Sequence, residues 1–231
     1  MSVVLDHLVV AAASLDQGVA WCEATLGVTP GPGGKHPLMS THNRLMKIST
    51  VAYPDCFLEI IAIDPAAPPP GRVRWFGLDD TALQHTLQIA PRLIHVVARS
   101  TMLDMHRWGL IAVGLKPGEP LAASRETPDG LLQWEILVRE DGQLNCGGAL
   151  PTLMQWKGPH PAARLADSGL QLKSLTLRGV PVRARDVLRL RAVQVLPDAG
   201  DAGDTGPAIT ATLATPRGDV VLSSGTLEVA R

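Results

Sequence analysis

The chain opens on a run of apolar residues, VVLDHLVV, broken only by Asp6 and His7. It then changes to a spacing in which Leu15, Val19, Cys22 and Leu26 recur every three or four positions. A short continuous run predicts a buried strand, and the longer spacing predicts one face of a helix. Ser14 is placed to cap that helix with Gln17 three residues on, and Gly27 to end it. A Gly- and Pro-containing stretch then leads through NRLMKIS into a second apolar run, CFLEIIAI.

The same unit occurs again at RLIHVVARSTMLDMHRW. Leu93, His95, Val97, Ala98, Leu103 and Asp104 stand where Leu5, His7, Val9, Val10, Leu15 and Asp16 stood, a displacement of 88 (95 − 7). Thr101 and Asp104 are placed to cap a shorter second helix, and LLQWEILV supplies the later apolar strand. Each copy reads as strand, helix, then two or three strands. DPAAPPPG can be neither helix nor central strand and separates the copies, while DGQLNCGGALP ends the second. Beyond it, LKSLTLRG predicts a strand, VRARDVLRLRA a basic helix, and ITATLATP with GDVVLSSG a hairpin turning at Arg217 and Gly218. The loop DAGDAGDTGP between them is expected to be mobile. The expected organisation is a first module over 1–64, a linker over 65–90, a second module over 91–140, and an extension over 141–231. That extension is read as a partial module packed on the others, or as an oligomerisation surface.

At 231 residues, 45% hydrophobic and 19% charged, the chain can bury a substantial core. A net charge of -1 without any Lys/Arg cluster excludes a nucleic-acid partner. No apolar run approaches the roughly 20 residues that span a bilayer, and no leader segment is visible, so the expected location is cytoplasmic, away from the membrane. Cys22, Cys56 and Cys146 are far apart and never in a C-x-x-C pair, which suggests neither disulfides nor a zinc knuckle.

Two histidines and two glutamates sit inside the apolar strands: His7 and Glu59 in the first copy, His95 and Glu135 in the second. A carboxylate in such a setting loses hydration worth several kcal/mol unless a cation or donor compensates it. Two imidazoles and two carboxylates would form a ligand set for a divalent transition metal. A lone histidine in an apolar strand is more often a hydrogen-bonded core residue, and the recurrence of the pair is what favours ligation.

On these residues the chain resembles the vicinal oxygen chelate superfamily, which includes glyoxalase I, extradiol dioxygenases, methylmalonyl-CoA epimerase and bleomycin-resistance proteins. GGKHPLMSTHNRL, CFLEIIAIDP and RWFGLDD are similar, more narrowly, to its glyoxalase-like subgroup. The resemblance covers residues 1 to 160. It implies an α+β fold of paired βαβββ modules, with curved mixed sheets enclosing a cleft and helices outside. It also implies His7, Glu59, His95 and Glu135 as ligands of Zn, Ni, Mn or Fe, with Glu59 and Glu135 as catalytic carboxylates. One departure concerns Glu135, which lies one residue farther from Gly130 than in the glyoxalase I pattern. Either a bulge turns Glu135 inward, or Trp134 faces the cleft and Glu135 faces away.

The resemblance further implies His42 and Asn43 near the cleft mouth and Trp134 as a substrate contact, although Trp21, Trp108 and Trp134 read first as core. Trp75 and Phe76 read as a plug on the cleft or an interface. His36 reads as exposed, as do His85, His106 and His160. Two functions follow: a metal-dependent lyase, isomerase or epimerase acting on a small substrate with adjacent oxygens, or a metal-free module that sequesters a small ligand. An extradiol-type dioxygenase re-enters if Glu135 is not a ligand. The cleft is expected within one chain, so that any homodimer forms through another surface.

Overall fold

The computed structural model describes residues 3–127, 130–197 and 206–225. The first copy consists of β1 (Val4–Ala11), α1 (Leu15–Thr25), β2 (Lys35–His36), β3 (Thr41–Lys47) and β4 (Phe57–Ile63). Helix α1 starts as its sequence predicts. The Ser14 side chain accepts from the Gln17 N–H, and the Gln17 side chain accepts in turn from the Ala13 N–H at 2.8 Å. Gly27, at φ 74°, follows its last turn.

The connector is more ordered than its composition suggests. After the Pro-rich stretch it forms a 3-10 turn at Trp75–Gly77 and a helix, α2 (Thr81–Ile89), which Asp80 caps by accepting from the Leu83 N–H. The second copy follows as β5 (Arg92–Arg99), α3 (Leu103–Ala112), β6 (Glu119–Thr127), β7 (Gly130–Val138) and β8 (Thr152–Lys157). Here the expected cap does not form. The N-cap of α3 is Met102, and the acceptors for the Met102 and Leu103 N–H groups come from the side chains of Ser100 and Gln155.

Eight strands make one sheet in the order β2, β3, β4, β1, β5, β8, β7, β6. Strand β1 pairs parallel with β4, β5 pairs parallel with β8, and β1 and β5 join antiparallel at the centre. The halves are therefore related by a pseudo-twofold axis between β1 and β5, which brings the strands of His7 and His95 side by side. This symmetry makes β8, beyond the expected module end at residue 140, the counterpart of β4. Val9 stands opposite Glu59, and Val97, at the matching place, stands opposite Thr152. In the second half a threonine thus occupies the place of Glu59.

The two faces of the sheet bury different layers. On the outer face Leu8, Leu58, Ile60 and Val96 pack in one core with Cys22 and Leu26 of α1 and with residues of a second sheet. That sheet is built from β9 (Gln171–Arg178), then β10 (Gln194–Leu196) after helix α4 (Val182–Leu188), then β11 (Ile209–Thr215) and β12 (Gly218–Ser223), in the order β10, β9, β11, β12. The C-terminal hairpin forms as predicted, with Thr215 opposite Gly218 at its turn. Residues 198–205 of the loop expected to be mobile lie outside the described residues. On the inner face Val9, Ile61, Val97 and Trp134 meet Trp75 and Phe76 of the connector. The free ends of the sheet curl toward each other until Arg125 of β6 donates to Asn43 Oδ1 of β3 at 3.3 Å.

Candidate functional site

The curled sheet encloses a narrow cleft on its inner face. His7, Asn43 and Glu59 line it from the first half, Arg125, Trp134 and Trp156 from the second, and Trp75 and Phe76 from the connector. Its mixture of aromatic walls with a few convergent polar groups has the character of a small-molecule site.

His7 reaches the cleft by alternation, on the face of β1 shared with Val9 and Ala11, and an irregularity in the strand sets Asp6 beside it. The pairing of β1 with β5 shifts register between Leu5 and His7, so Asp6 has no partner residue in the ladder. Such a bulge lets neighbouring side chains depart from strict alternation. The fully buried Asp6 carboxylate accepts from His7 Nδ1 at 2.7 Å, from Trp156 Nε1 at 2.8 Å and from His160 Nε2 at 2.9 Å. Burial alone would raise the Asp6 carboxyl, but the hydrogen bonds and charges of His160 and His7 outweigh it and hold the group well below the usual carboxylate range. With Nδ1 so engaged, the His7 ring stacks on Phe57 at 4.5 Å between centroids and stands with Nε2 3.6 Å from Glu59 Oε2.

A second chain of contacts fixes Glu59. The Asn43 amide donates to Glu59 Oε1 at 2.6 Å and lies 3.4 Å from His36 Nε2, while its oxygen accepts from the Gly34 N–H at 2.8 Å and from Arg125. This pattern settles which way the amide faces and makes His36 Nε2 an acceptor, with Nδ1 donating to Thr41 Oγ1 at 3.1 Å. His36 is held neutral chiefly by burial, with the Arg125 charge adding to it, and its basicity falls to about 3. Oε2 of Glu59 is left as the oxygen that faces His7.

The four expected metal ligands do not converge. His95 is fully buried, with Nδ1 at 2.8 Å from the Gly148 carbonyl and Nε2 at 2.8 Å from Thr152 Oγ1, and Phe76 packs on its ring at 5.3 Å. Glu135 points out of the cleft and pairs with Lys157 Nζ at 2.9 Å, while Trp134 lines the cavity and stands opposite Trp156. Strand β7 keeps its alternation without a bulge, and this is the second of the two arrangements its spacing allowed. Among the described residues no group of three His, Cys, Asp or Glu side chains could hold a metal ion. The donors left at the cleft, His7 Nε2 and the Glu59 carboxylate, share it with the Arg125 guanidinium, whose charge opposes a bound cation. The residues present therefore do not fit the expected divalent ion.

Other residues depart from their sequence reading. His42 lies on β3 with Nδ1 4.0 Å from Asp64, apart from the cleft lining, whereas Asn43 beside it is central. His36 is buried in the cleft wall, and His106 is buried against Ser100 at 2.8 Å. His160, which reads as a surface residue, is the third partner of Asp6. Trp108 is exposed and carries the Arg107 guanidinium over its ring at 4.9 Å. Arg125 and Asp6 belong to the site without a sequence motif to mark them. The signal for Arg125 lay in the alternation of β6, where Leu121, Ala123 and Arg125 share the inward side.

The family model described as a glyoxalase-like domain matches residues 5–190. A solved hypothetical protein from Staphylococcus aureus shares the fold at 13% identity and a TM-score of 0.55, over 77% of this chain and 70% of that one. The methylmalonyl-CoA epimerase of Mycobacterium tuberculosis aligns at 18% identity and a TM-score of 0.39, over 71% of this chain and 95% of that one. No curated protein matches the chain.

Proposed function

The chain belongs to the glyoxalase-like domain family, and from that premise we propose that its cleft binds a small carbonyl-bearing molecule and moves a proton on it, as an isomerase, epimerase or lyase does. The observation that carries this reading is the oriented pair at the cleft wall, His7 Nε2 at 3.6 Å from Glu59 Oε2, with Asp6 behind the imidazole. In this reading Glu59 Oε2 takes a proton from the carbon beside the carbonyl. His7 Nε2–H donates to the carbonyl oxygen as negative charge develops there, and Asp6 holds the ring in place through Nδ1. Asn43 keeps Oε1 occupied, so a single oxygen of Glu59 is presented. The aromatic walls limit water at the reacting atoms, which strengthens each of these interactions. No step runs through a metal, because the donor set does not support one.

The test follows carbon-bound hydrogen exchange by NMR in deuterated buffer, with a panel of small 2-oxo acids and hydroxyketones. Wild type should wash deuterium into the position beside the carbonyl of at least one compound. Glu59→Gln, isosteric and still able to accept from Asn43, should slow this by about 10²- to 10⁴-fold. Compounds that bind wild type with no exchange in any of them, or exchange undiminished in Glu59→Gln, refute the acid–base role. The first of these outcomes favours the sequestering module instead.

A further inference from the structure

Two donors on the cleft wall have nothing to donate to. Arg125 Nε and Trp75 Nε1 are both buried without a hydrogen-bond partner among the described residues. The guanidinium makes one bond, to Asn43 Oδ1 at 3.3 Å, and it has no carboxylate within ion-pair distance among those residues. Both side chains donate and neither can accept, so a ligand bearing acceptor oxygens would satisfy them.

The charge of Arg125 is also left uncancelled at short range. Asn43 stands between Arg125 and Glu59, with its oxygen toward the guanidinium and its amide toward the carboxylate. The two opposite charges act on the same amide instead of pairing directly. Gly34 makes the approach of the arginine possible, because a methyl group there would lie 2.2 Å from Nη1. The remaining walls combine aliphatic side chains, Leu45, Leu132, Ile136 and Met154 among them, with aromatic rings, and the planes of Trp134 and Trp156 are tilted by 51°. Trp134 and Trp156 lie 5.6 Å apart between centroids, Trp75 stacks on Phe76 at 5.3 Å, and Phe57 closes the side below His7. Aromatic faces favour planar unsaturated ligands over puckered ones of equal size.

We infer that the ligand of this cleft is a planar oxyanion, an aromatic or conjugated carboxylate, whose oxygens meet the Arg125 guanidinium while its ring lies among the tryptophans. The inference rests on the cleft being the ligand site proposed above, and it adds the chemical class. A carboxylate at Arg125 leaves the rest of the molecule directed toward His7 and Glu59.

Benzoate and benzamide test it, since they share size and planarity and differ in charge. Each is titrated into the full chain and followed by tryptophan fluorescence and calorimetry. Benzoate should bind about tenfold or more tightly than benzamide, as charge-assisted hydrogen bonds imply. Arg125→Gln should remove that preference by weakening benzoate alone, and Arg125→Lys, which keeps the charge, should retain part of it. Cyclohexanecarboxylate, equally charged but puckered, should bind more weakly than benzoate. Benzamide matching benzoate, a preference that survives Arg125→Gln, or cyclohexanecarboxylate matching benzoate would each overturn the inference while leaving the cleft as a ligand site. Binding of none of the three would overturn both.

Discussion

His95 offers a test of how the interior tolerates charge. It is buried with both ring nitrogens engaged, and burial above all, with a smaller contribution from the His7 charge, lowers its basicity from the ordinary 6.5 to about 3 in spite of the Gly148 hydrogen bond. The folded group is the weaker base, so the unfolded chain takes up a proton first as pH falls. Stability from this residue is fully present above pH 6.5 and is lost progressively as pH falls toward 3. At 1.36 kcal/mol per pH unit, the loss between pH 6.5 and pH 5 is about 2 kcal/mol. His95→Gln keeps a donor for the Gly148 carbonyl and an acceptor for Thr152 but cannot titrate. It should cost about 1–3 kcal/mol at pH 7, and its deficit relative to wild type should shrink by about 2 kcal/mol at pH 5. His36, also lowered to about 3, is present in both proteins and cancels in the comparison. Urea denaturation at pH 7, 6 and 5 with a common m-value measures the difference. Stability curves for the two proteins that stay parallel across this range would refute the reasoning.

Asp6→Asn removes the carboxylate on which His7, His160 and Trp156 converge; it should cost about 3–5 kcal/mol in chemical denaturation at pH 7, and a change within about 0.5 kcal/mol would show that the buried charge contributes little. After chelator treatment, added Zn, Ni or Mn should leave the melting temperature of wild type and of Glu59→Gln unmoved, because the expected ligands point to different places; a rise of several degrees in wild type that is lost in Glu59→Gln would establish a metal site at Glu59.

Much of the architecture was legible because it depends on local patterns that repeat. The 88-residue displacement predicted the two halves, and the pairing of β1 with β5 places the two histidine strands side by side. Ser14 and Gln17 cap α1 as read, and the C-terminal hairpin turns at Pro216 and Arg217, with Gly218 opening β12. The site was legible only in part because it depends on symmetry and on bulges. LLQWEILV looks like the partner of CFLEIIAI, yet β8 takes that position, and so Thr152 stands at the place of Glu59. Asp6 would face away from His7 in a regular strand, and only the register shift in β1 brings it into the same network. Nothing local distinguishes Arg125 from other strand arginines until β6 curls round to β3.

The same curl determines how a molecule can enter. The two halves share a main-chain ladder at β1 and β5, backed by a second sheet, so the spine of the cup cannot part without breaking backbone hydrogen bonds and opening the outer core. At the opposite rim the halves meet through side chains, chiefly the 3.3 Å contact between Arg125 and Asn43 beside Gly34. The protein is thus built like a clasp purse, stiff at the hinge and lightly fastened at the lip, and its fastening is the group that an incoming carboxylate would grip.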